Sequence, residues 1–180
     1  TTEIVDVSDI DNTLEVNQYK KPIKPEQLSI LLDAMKNDGQ HDLYFVTALI
    51  GLYGLRLAEI AVLTVRDGDF LCGNFIKRNR NTKKSSKPQF RNIMGLDLPD
   101  KIGLASEIKT KFESKLFKFP LSIRTQISKV KEKGTYKDIG QAYYQLLSRY
   151  KPWQDLLKTS DGKGLTPYSL RHGWAWRAHK

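Results

Sequence analysis

The chain has 180 residues and 39% hydrophobic content, enough for one compact domain with a core. Its net charge is +10, and since residues 1–17 hold five acids and no base, removing the −5 of that leader leaves +15 on the rest. A basic body selects a polyanionic partner, nucleic acid first and an anionic membrane second. The single Cys72 excludes an internal disulfide framework. No run of 18 apolar residues offers a membrane span and the first residues are acidic where a signal peptide is positive, so the expected setting is cytoplasmic.

Residues 1–23 mix acids with isolated aliphatics and end in Lys20, Lys21 and Pro22, which reads as a loosely packed linker or N-terminal extension; the domain proper is expected over 24–180. Pro25 and Glu26 open a helical pattern (Leu28, Ile30 to Leu32, Met35) that predicts a helix over 25–37. Residues 42–53 are apolar almost throughout, which suits a buried helix, and Gly51 and Gly54 flank its end. Residues 55–63 resume the helical pattern until Asp67-Gly68-Asp69 turns the chain. Strands are then predicted over 70–77 and 89–98, enclosing a polar, basic loop. Helices follow over 101–117, 121–133 and 137–149, broken by Pro120 and Gly134, and Pro152 and residues 161–164 punctuate what comes next. The last helix is expected to start at Thr166 as N-cap, with Pro167 in its first turn. The sum is a mainly α fold with a small antiparallel β-hairpin or sheet.

Two arginines stand at helix starts far apart in the chain: Arg56, within Gly54-Leu55-Arg56-Leu57-Ala58-Glu59, and Arg171, within Thr166-Pro167-Tyr168-Ser169-Leu170-Arg171-His172. Alone, each is most simply a solvated helix arginine, Arg56 paired one turn on with Glu59. Between them, residues 73–96 hold seven basic side chains (Lys77, Arg78, Arg80, Lys83, Lys84, Lys87 and Arg91) and no acid, the footprint of a loop that tracks phosphates. Planar guanidinium groups meet two phosphate oxygens at once, which suits a transition state that gathers charge on non-bridging oxygens.

The order of a Gly-Leu-Arg with glutamate three residues on, a lysine hairpin, then Thr-Pro opening a helix that carries Arg-His, resembles the catalytic domain of tyrosine recombinases, the phage-integrase family, over roughly residues 20–180. The resemblance implies a DNA breaking-rejoining catalytic core: site-specific strand cleavage and rejoining on double-stranded DNA through a 3′-phosphotyrosine intermediate, with no metal and no cofactor. Arg56 and Arg171 would stabilise the phosphate. Lys83, which follows Thr82 as the family's hairpin lysine often follows threonine, would be the general acid, with Lys84 and Lys87 as alternatives in a loop longer than usual. Lys77, Arg78, Arg80, Lys84, Lys87 and Arg91 would bind DNA, Tyr168 and His172 would assist, and Glu59 is expected to be structural.

Two positions depart from the family. Tyr168 stands where its motif starts with histidine, and a phenol with pKa ~10 is a poor proton acceptor near neutrality, though it can hydrogen-bond a phosphate oxygen. The family's later histidine or tryptophan and its tyrosine nucleophile would fall beyond Lys180. Tyr136, Tyr143, Tyr144 and Tyr150 precede Arg171 and read as core or surface aromatics. The 180 residues alone are therefore expected to bind DNA without forming the covalent link, and to be monomeric in solution although the family acts as tetramers on paired sites. The rival reading is a non-catalytic DNA-binding module or a degenerate integrase remnant. His41, His172 and His179 form no metal-ligand grouping with Cys72 or carboxylates, and Gly162 and Gly164 lack the rest of a phosphate-cradling loop.

Overall fold

A computed structural model describes residues 21–73, 90–133 and 137–179. Its centre is α2, His41–Tyr53, in which every residue from Leu43 to Tyr53 is buried. No polar face is needed because α1 (Pro25–Asn37), α3 (Leu104–Glu113) and α7 (Ser169–Ala178) surround it. Each fully buried aliphatic here, such as Leu49 or Leu52, stabilises the fold by roughly 1.5–3 kcal/mol relative to exposure. Thr47 is tolerated in this core because its hydroxyl pairs with that of Tyr143 at 2.8 Å, so neither is left unsatisfied.

The helix α2 ends at Gly54, which takes the left-handed conformation (φ 66°) and donates its N–H to Ile50 O. A Cβ there would lie 2.4 Å from the ring of Trp174. The glycine thus serves both as helix stop and as the flat seat on which α7 rests. From Gly54 the chain passes Arg56 into a short 3-10 helix, Leu57–Val62, and then β1, Leu63–Arg66. β1, β2 (Asp69–Gly73) and β3 (Phe90–Asn92) form one antiparallel sheet in that order, β1 and β2 joined by a tight turn with Asp67 and Gly68 at positive φ.

After α3 come α4 (Leu121–Lys133), α5 (Lys137–Ser148) and α6 (Lys151–Lys158). The C-terminus of α3 closes with Leu116 N–H on Lys111 O and Lys115 N–H on Phe112 O, a pattern that needs one left-handed residue. Lys115 fills that place, at φ 57°, where glycine is usual.

The helices expected over 25–37, 121–133 and 137–149 match α1, α4 and α5 within one residue. Elsewhere the boundaries move. Within the helix expected over 55–63, Leu57–Val62 form a 3-10 turn rather than α-helix, because Leu63 to Arg66 leave to pair with β2, a strand the apolar pattern hid. Among the described residues of the strand expected over 89–98, Phe90–Asn92 form strand, and the described part of its partner is Asp69–Gly73. The helix expected over 101–117 shortens to Leu104–Glu113, since Asp97 accepts the N–H groups of Gly103 and Ala105 and sets its start. Pro152, read as punctuation, instead sits in the first turn of α6.

The last helix begins later than Thr166, at Ser169, and its cap runs in reverse: the Thr166 N–H donates to Ser169 Oγ at 2.9 Å. Ile23, at the end of the expected linker, is fully buried and donates its N–H to Ser169 O. The backbone at Ile23 passes so close to Gly173 that a Cβ there would meet Ile23 O at 2.6 Å. Among the described residues no helix is long and apolar enough to cross a membrane.

Candidate functional site

Arg56 follows the Gly54 stop and occupies the N-cap of the 3-10 helix in extended conformation (φ −72°, ψ 149°). Its backbone N–H donates to Glu59 Oε1 at 2.7 Å. That hydrogen bond ties the arginine's main chain to a glutamate which is only 4% exposed. A carboxylate so deeply placed requires partners, and they arrive from two remote elements. Arg91, on β3, donates Nη2 to Glu59 Oε2 at 2.6 Å, and Arg171, on α7, places Nη1 3.5 Å from Oε1.

Glu59 therefore gathers two guanidiniums, those of Arg91 and Arg171, and the main chain of Arg56 onto one carboxylate. Burial alone would raise its pKa, but the Arg56 N–H, the Arg91 hydrogen bond and the charges of Arg91 and Arg171 outweigh that and hold it below the ordinary glutamate value. Burial pushes the Arg171 guanidinium down; Tyr168 and Glu59 oppose that shift, while the charges of Arg56 and Arg91 add to it. Arg171 thus lies within reach of the charges of both Arg56 and Arg91. Three positive charges against one carboxylate leave a surplus of two, and Arg171 Nη1 is buried with no hydrogen-bond partner among the described residues. An anion with several oxygens is what such a group accepts.

Tyr168, at the N-cap of α7, and His172, on α7, stand beside Arg171, their ring centroids 4.9 Å apart at 60°. The sequence put Tyr168 and Arg171 on one face; the ring contact is made with His172, one turn on, which is itself buried. Of the expected site residues, Arg56, Tyr168, Arg171, His172 and Arg91 lie in this neighbourhood. Lys77, Arg78, Arg80, Lys83, Lys84 and Lys87 lie outside the described residues.

From the sequence, Arg91 is expected to contact DNA and Glu59 to be structural; in the structure Glu59 takes the Arg56 backbone N–H, and Arg91, with half its side chain exposed, is its short ion pair. The signal available in the sequence was an acid set among apolar residues, Ala58-Glu59-Ile60-Ala61, since an acid held inside a core implies a remote cation. Cys72, on β2, packs against the same carboxylate, its Sγ 3.5 Å from Glu59 Oε2. Burial and the Glu59 charge push its thiol up to about 12, which keeps it protonated and unreactive. Among the described residues no group of three histidine, cysteine or carboxylate side chains could hold a metal ion.

Tyr143 is fully buried and Tyr150 donates its hydroxyl to Asp38 Oδ2 at 2.7 Å, so both are structural aromatics, as their position before Arg171 implied. Comparison with protein-family models, with curated proteins and with solved structures finds no match to this chain.

Proposed function

We propose that the chain is the catalytic core of a tyrosine-type site-specific DNA recombinase, in which Arg56 and Arg171 clamp the scissile phosphate. The observation that carries this reading is the convergence on the buried Glu59 of the Arg91 and Arg171 guanidiniums and the Arg56 backbone N–H, from three elements separated by up to 115 positions in the chain. Such a cluster supplies oriented positive charge where a pentacoordinate phosphate develops negative charge, without reorganisation at the moment of reaction. Glu59 holds the guanidiniums of Arg91 and Arg171 and the main chain of Arg56 beside one another. Tyr168 donates a hydrogen bond to a phosphate oxygen, His172 supports it, and a lysine of the basic loop, Lys83 first, protonates the departing 5′ oxygen.

The test is made in a chain extended to include the downstream tyrosine that the reading requires, on a nicked suicide substrate that traps the covalent adduct. Arg171→Ala is expected to lower adduct formation by about 10²–10³ while most duplex binding persists, because the guanidinium acts chiefly on the transition state. Unchanged cleavage in that variant overturns the proposal. Binding without cleavage in the extended parent chain favours instead a DNA-binding module that retains the phosphate contacts alone.

A further inference from the structure

The other end of α2 opens on a second basic site. Helix α2 spans 13 residues, so this end lies about 20 Å from Arg56 along the axis. The cavity there has a volume of about 500 Å³, within the ~300–1,000 Å³ typical of small-molecule sites. Lys36 at the end of α1, Lys111 in the last turn of α3, and Lys115 and Lys118 just beyond it bring four ammonium groups to its walls.

Against them stand Asp42, which also lines the cavity, and Glu107, 3.7 Å from Lys111. The balance is a surplus of two positive charges before the imidazole of His41 is counted. No side chain caps the start of α2, whose first two residues are part of the wall, so the positive end of the helix dipole adds to the field. The floor is apolar: Phe45 and Phe117 stack at 4.3 Å and 15°, and Leu116 is 74% exposed beside them.

We propose that this cavity binds a nucleoside 5′-phosphate, mono- or poly-, with its phosphates on the lysine rim and its base against Leu116 and the edge of the Phe117 ring. A duplex backbone needs lysines but no apolar floor, and inorganic phosphate has nothing to place on Leu116. A base joined to phosphates uses both halves, edge contacts with aromatic rings being a favoured geometry. Two sources carry that chemistry, a free nucleotide and the 5′-phosphorylated end of a strand. The inference stands apart from the recombinase reading, since no residue is shared.

Calorimetric titration of the chain with ADP at low salt tests it. ADP is expected to saturate one site, with adenosine and inorganic pyrophosphate each binding about tenfold or more weakly. Lys115→Gly removes one ammonium at a backbone position that glycine prefers, so the chain stays folded while ADP affinity falls by a factor of about 3–10. Lys36→Ala combined with Lys118→Ala lowers it further, and Arg171→Ala leaves it unchanged. No saturable binding, pyrophosphate equal to ADP, insensitivity to the lysine variants, or loss of ADP binding in Arg171→Ala would each overturn the proposal. A 5′-phosphorylated oligonucleotide that displaces ADP at lower concentration identifies the strand end as ligand; the converse identifies the free nucleotide, and either upholds the base-and-phosphate chemistry.

Discussion

Glu59 is the side chain on which the candidate site turns. Its folded pKa is depressed, so its ionised form stabilises the fold above the ordinary glutamate value of 4.5, and that contribution is lost as pH falls through the lower folded value. Glu59→Gln removes the charge with little change in shape. The variant is expected to be less stable at neutral pH and to converge on the parent in acid, as read by urea unfolding from pH 7 to pH 3. Parallel stability curves would mean that Glu59 holds no linkage to its arginines. Glu59→Ala strands Arg91 and Arg171 as well, at a cost of about 2–4 kcal/mol, discounted because Arg91 is half exposed. Next to it, Cys72 is fully buried and raised to about 12, so its alkylation by iodoacetamide is expected only when β2 opens. Rapid modification of the native chain would show that the sheet is not closed over Glu59.

At the scale of elements, two left-handed positions make opposite predictions. Gly54 stops α2 and touches Trp174, whose Nε1 donates to Met94 O at 3.1 Å. Gly54→Ala adds both a strained backbone and a collision with the ring, together about 2–4 kcal/mol. The urea midpoint should drop with an unchanged slope, and DNA binding should fall with it, because α7 carries Arg171. Lys115 already bears the strain of φ 57°, so Lys115→Gly is expected to be neutral or to stabilise the chain by up to about 1 kcal/mol. A further tie between the same helices is Arg177, which donates Nη2 to Gly51 O at 2.8 Å, one of the last carbonyls of α2 that the helix itself leaves unpaired. Burial lowers that guanidinium to about 10. Arg177 and the Trp174 seat together fix the angle at which Arg171 approaches Glu59.

Over the whole molecule, positive charge collects at both ends of the buried helix α2, the arginine cluster at its C-terminal end and the lysine cavity at its N-terminal end. Duplex DNA affinity is expected to fall steeply with salt, with a log–log slope of about −0.9 per neutralised phosphate. Arg171→Ala should make that slope about one unit shallower, measured by fluorescence anisotropy between 50 and 200 mM salt. An unchanged slope would remove Arg171 from the DNA contact.

Much of this was legible in the residues themselves. Pro25, the unbroken apolar run of α2, the Gly54 stop and the breakers Pro120 and Gly134 set local structure directly, because helix period, burial and backbone freedom act within a few positions of each residue. The approach of Arg56 and Arg171 was suggested only by motif order. Tertiary packing decided the rest: strand β1, the 3-10 turn, the burial of Ile23 under α7, and above all the pairing of Arg91 with Glu59. These depend on contacts between segments tens of residues apart, where the energy of burying Glu59 is offset by cations that no local pattern announces.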